Sequence, residues 1–65
     1  MKKFALLSLL HGANRVIGET FARSTQEAIN YFRKLHPVLG LNAEGYAKNM
    51  DLTYCIAEYY DNGTR

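Results

Sequence analysis

The chain has 65 residues, 48% of them hydrophobic and 22% charged, which excludes a disordered polypeptide and predicts one small domain spanning residues 1–65. Its net charge of +2 falls short of the dense basic patch that phosphate contacts demand, and a lone cysteine, Cys55, excludes an internal disulfide. No apolar run approaches the roughly 18 residues that cross a bilayer as a helix.

The first element is the run Phe4-Ala5-Leu6-Leu7-Ser8-Leu9-Leu10, apolar on both faces of an extended strand. Such a strand needs cover on both sides. The preceding Met1-Lys2-Lys3 gives the start the look of a secretory signal. The run is short for one, however, and His11 stands where a cleavage site before Ala13 would want a small residue. A cytoplasmic protein is therefore expected.

His11-Gly12-Ala13-Asn14 brings together residues that tolerate positive φ, a hairpin signal. It leads into a second strand, Arg15-Val16-Ile17-Gly18-Glu19-Thr20-Phe21-Ala22, where Gly18 marks a bulge or a weak point. Ser24-Thr25-Gln26-Glu27 fits a capping box, in which the Ser24 hydroxyl accepts from the Glu27 amide and the Glu27 carboxylate reaches back to the Ser24 amide. The helix that follows carries an apolar stripe of Ala28, Ile29, Phe32 and Leu35 and stops before Pro37. Residues 38–50 contain Gly40 and Gly45 and are expected to form a loop with one helical turn near Asn42–Lys48. Leu52 to Tyr60, rich in β-branched and aromatic residues, is the third strand.

The fold class is thus α+β, with element order β-β-α-β and a three-stranded mixed sheet packed against one helix. A right-handed crossover makes the third strand parallel to the second, so the first lies between them and the sheet order is 2-1-3. If the hairpin loop holds an even number of residues, Ala5, Leu7, Leu9, Val16, Gly18, Thr20, Thr53, Cys55 and Ala57 share one face. These are mostly small, and the helix is assigned to them. Phe4, Leu6, Leu10, Ile17, Phe21, Tyr54, Ile56 and Tyr60 then make the other face, where Ser8, Glu19 and Glu58 add the polar fraction of an interface. The reverse assignment would put these aromatics under the helix and leave one face of Leu7 and Leu9 bare. Association through the sheet follows either way. The interface residues expected are Phe4, Leu6, Ile17, Phe21, Tyr54, Ile56 and Tyr60.

Catalytic chemistry finds little support. Cys55 with His11 or His36 is the one thiol–imidazole combination, and a mid-strand cysteine reads as a small buried apolar residue. Glu19 and Glu58 are expected about 10 Å apart on flanking strands of one face, as two surface carboxylates. No phosphate loop, metal spacing or nucleophile elbow is present, so neither an enzyme nor a cofactor or metal is expected. Asn62-Gly63-Thr64 matches a glycosylation sequon, which has meaning only after secretion. In element order alone the layout resembles the partial domain of HicB-type antitoxins; that family's acidic, proline- and glycine-containing strand-end pattern is absent, and no membership is inferred.

The function expected is a small non-enzymatic protein–protein interaction module. It self-associates through its sheet, as a dimer, and regulates or inhibits a larger complex in the manner of short phage and mobile-element proteins. The alternative is a small nucleic-acid-binding protein using Lys2, Lys3, Arg15, Arg23, Arg33 and Lys34 with the sheet aromatics.

Overall fold

The structure, a computed structural model, describes residues 1–10 and 13–59. Strand β1 (Lys2–Leu10) pairs antiparallel with β2 (Ala13–Ala22), and helix α1 (Thr25–Leu35) follows. A 3-10 turn at Pro37–Leu39 then leads to the short β3 (Ala47–Asn49) and to β4 (Leu52–Glu58). The sheet has four strands in the order β2-β1-β4-β3, all neighbours antiparallel, rather than the expected three in the order 2-1-3. The apolar β1 is interior to the sheet, as its sequence requires. The extra edge strand comes from the segment read as a loop, because three residues are too few to show the alternation by which a strand is recognised.

Helix α1 begins at Ser24, whose backbone is extended and whose hydroxyl accepts from the Glu27 amide at 3.2 Å. The Glu27 carboxylate reaches back one residue further than the capping box predicts and accepts from the Arg23 amide at 2.7 Å. The helix buries Ala28, Ile29 and Phe32, while Leu35, expected in the same stripe, stays 53% exposed. At its end the His36 amide donates to the Phe32 carbonyl before Pro37 opens the 3-10 turn.

The helix covers the face opposite to the one expected. Phe4 and Leu6 are 1% and 0% exposed, and Ile56 packs on both core clusters, which also hold Ala22, Ala28, Phe32, Leu41 and Ala47. A bulge in β2 brings small residues to that face, where they leave room for the helix. Near the hairpin Leu7 pairs with Val16 and Leu9 with Asn14, as an even loop dictates; beyond Ile17 the register shifts so that Leu6 pairs with Gly18 and Phe4 with Thr20. Gly18, Thr20 and Ala22 thereby join the large residues of β1 instead of the small ones. Gly18 has the space to do so only as glycine, since a Cβ there would lie 3.1 Å from Phe32 Cε1.

Residues 41–46 close on themselves. The Asn42 side-chain oxygen accepts from the amides of Glu44 and Tyr46, and the Asn42 amide donates to the Tyr46 carbonyl. Arg33 Nε donates to the Leu41 carbonyl at 3.1 Å and ties this turn to the helix. The β3–β4 hairpin turns through Met50 and Asp51, with Met50 at φ +56° and 92% exposed. A methionine gains nothing from that left-handed backbone and costs about 1–2 kcal/mol relative to its usual conformations. Met50→Gly is expected to stabilise the domain by about 0.5–1 kcal/mol after glycine's larger entropy loss is subtracted. An unchanged or lowered urea midpoint would count against that strain.

Candidate functional site: the uncovered sheet face

Side chains paired across strands share a face, so the register places Lys3, Ala5, Leu7 and Leu9 of β1 on the side away from α1. Phe21, Glu19 and Val16 of β2 join them, as do Ala57, Cys55 and Thr53 of β4. Tyr59, whose amide donates to the Lys3 carbonyl at 2.8 Å, continues β4 on the same side. No helix of the described residues lies over this face, and two different surfaces result.

The half near the start of β1 is roofed by polar side chains. Tyr59 reaches across β1 to donate its hydroxyl to Glu19 Oε2 at 2.9 Å, and Lys3 Nζ lies 3.3 Å from Glu19 Oε1. The same ammonium sits 5.3 Å from the centroid of the Tyr59 ring and 5.9 Å from that of Phe21, within cation–π range of both. Beneath this strap Ala5 is fully buried. The hydrogen bond from Tyr59, then that from Lys3, holds the Glu19 carboxyl below its usual range, and the bond to Glu19 raises the Tyr59 hydroxyl above its own. Each group thus favours the protonation state that keeps the strap closed at neutral pH.

The half near the hairpin is open, an apolar patch bordered by Asn14 and Thr53. Leu7, Leu9 and Cys55 are half-buried and Val16 is 47% exposed. Leu9 and Thr53 continue into a shallow, open depression with Leu10, Lys48, Met50 and Asp51. Cys55 therefore faces the uncovered side rather than the helix, contrary to expectation. Its thiol has no base beside it among the described residues: His36 lies at the far end of α1, and His11 falls outside them.

Of the seven interface residues expected, Phe4 and Leu6 are inside the domain, and Tyr54 and Ile56 are half-buried against its core. Ile17 is the residue the bulge leaves without a β1 partner and is 39% exposed; Phe21, at 64%, stands on the uncovered face. Tyr60 lies outside the described residues, as does the sequon at 62–64. Glu19 and Glu58 do not share a face: Glu58 pairs opposite Phe4 and meets Lys2 at 3.9 Å. The six cations of the nucleic-acid alternative are scattered. Lys2, Lys3 and Arg33 are engaged with Glu58, Glu19 and the Leu41 carbonyl, while Arg15 lies on β2, Arg23 follows it, and Lys34 sits on α1. Among the described residues no three His, Cys, Asp or Glu side chains gather closely enough to hold a metal ion, and no helix is long and apolar enough to cross a membrane.

The strap was not foreseen, because pairing Lys3, Glu19 and Tyr59 requires the register beyond the bulge. The glycine at position 18 was the only mark of that bulge in the sequence. No family model, curated protein or solved structure matches the chain.

Proposed function

We propose that this protein is a non-enzymatic protein–protein interaction module that self-associates through its sheet and regulates or inhibits a larger complex. The observation that carries this reading is the four-stranded sheet with a helix on one face only among the described residues, whose other face carries the apolar patch of Leu7, Leu9, Val16 and Cys55. An apolar sheet surface without cover is characteristic of contact surfaces, and a chain of this size gains disproportionately from burying it. The mixture on that face also fits an interface: an apolar patch around Leu7, Leu9, Val16 and Cys55 borders aromatic and charged groups in Phe21, Tyr59, Lys3 and Glu19.

Light scattering after size exclusion, over a hundredfold range of concentration, tests self-association directly. A species of at least twice the 7.4 kDa chain mass is expected. Phe21→Asp, at an exposed position on both the uncovered face and the outer strand, should shift the mean mass toward the single chain, with self-association weakened about tenfold or more. Its circular dichroism should not change. A mass fixed at 7.4 kDa throughout would refute the self-association.

A further inference from the structure

We infer that the uncovered face binds a second copy of itself, sheet against sheet. The two copies are set with their ends exchanged, so that the Lys3–Glu19–Tyr59 strap of each enters the depression near the hairpin of the other. This rests on the proposal that the chain self-associates through its sheet, and it names the face, the partner and the orientation. The first element of the argument is the relief of the face. At one end the strap stands above the sheet: Tyr59 crosses β1 to Glu19, Ala5 is sealed beneath, and Phe21 alongside is 64% exposed. At the other end lies the open depression of about 270 Å³, lined by Leu9, Leu10, Lys48, Met50, Asp51 and Thr53.

Val16 and Cys55 both pair with Leu7, so the three make one row across the strands. The strap lies to one side of that row, over Lys3 to Ala5. The hollow lies to the other side, from Leu9 and Thr53 to the β3–β4 turn. A two-fold axis between the sheets, running along the row, therefore exchanges ridge and hollow. It also sets the Leu7, Val16 and Cys55 of one copy against the same residues of the other. Packed sheets stand about 10 Å apart. With like ends together the two ridges would meet and hold the sheets apart over the patch. The hollows would then face one another across a void, which forfeits the packing contacts there.

The second element is charge. Lys3 and Glu19 stand together in the strap, while Lys48, which pairs opposite Thr53, lines the hollow with Asp51. Each end of the face thus carries one charge of each sign, although the chain as a whole carries +2. A strongly charged partner finds no net field to meet here. A second copy brings both signs to both ends at once, because Lys3 and Glu19 of each come to the end where the other holds Lys48 and Asp51.

The third element is size. Strands about 4.8 Å apart, with residues about 3.4 Å apart along them, give this face about 500 Å² in plan. Two copies together would bury about 1,000 Å², and more once the relief of the side chains is counted, which reaches the size of a specific interface. The arrangement is isologous and closed, so it ends at a dimer. The apolar patch becomes its centre and the two charged ends its rim.

The test uses light scattering to establish the dimer and a paramagnetic label to orient it. The label is attached to Met50→Cys in a chain that also carries Cys55→Ser. This chain is mixed with an isotope-labelled wild-type chain, so that only contacts between copies are read by magnetic resonance. The expected result is that the amides of Lys3 and Tyr59 lose most of their intensity while those of Lys48 and Asn49 keep theirs. Loss strongest at Lys48 and Asn49, or at the outer edge of β2, would overturn the inference while sparing the reading beneath it. Should the labelled chain not join the dimer, the unaltered chain decides. Its two Cys55 thiols face one another across the axis, and a thiol-bridging reagent spanning a few ångströms should join them above the dimerisation range and not below it. No joining there would overturn the inference. A wild-type monomer at every concentration would overturn both.

Discussion

Phe32→Ala is expected to leave the chain without a cooperative unfolding transition at room temperature. Phe32 is fully buried in a cluster with Leu6, Leu41 and Ala47, and its ring stands edge-on to Tyr31 at 5.2 Å. It also occupies the space above Gly18 that the absence of a Cβ opens. Truncating such a ring costs about 3–5 kcal/mol, because the cavity cannot collapse onto backbone already in strand pairing. A core in a domain of fewer than about 70 residues rarely supplies more than about 3–5 kcal/mol in total. The loss is therefore as large as the stability available. The measurement is a urea titration followed by far-ultraviolet circular dichroism at a concentration low enough to exclude association, which would otherwise stabilise the variant. A sigmoidal transition with its midpoint lowered by only a small fraction would show that the helix is held chiefly by something other than this ring.

Much of the architecture could be read from residues whose signal is local. The capping serine at position 24, the proline at 37 and the apolar run in β1 each act within a few positions of themselves, and each stands where it was expected. What could not be read depends on one residue changing the meaning of others far away. The extra residue at Ile17 reverses which side chains of β2 accompany Phe4 and Leu6 under the helix. A one-residue slip moves every subsequent side chain to the other side of a sheet. The two candidate faces were therefore right as sets near the hairpin and exchanged partners beyond it. The Lys3–Glu19–Tyr59 strap is a consequence of that shift, so it was not visible in the sequence.

Gly45→Ala should cost about 2–4 kcal/mol, from backbone and packing acting together. Gly45 has φ +77°, a conformation that penalises any Cβ by about 1–2 kcal/mol. A methyl group there would also lie 2.8 Å from Ile56 Cδ1 and 2.9 Å from Ile29 Cγ1. The first of these can swing away as a side-chain end. The second is a branch on a helix residue only 4% exposed, so relieving it means moving α1 or the turn that Asn42 closes. Gly40 supplies the control. It has a similar φ of +70° and nothing within 4 Å of its Cβ position, so Gly40→Ala should show the backbone cost alone. The difference between the two urea-derived stabilities isolates the packing contribution, expected at about 1–2 kcal/mol. Equal losses in the two variants would mean that residues 41–46 yield freely. They would then not be a rigid wedge against Ile29 and Ile56. A real difference would identify this turn as an element that fixes the position of α1 against Ile56 of β4.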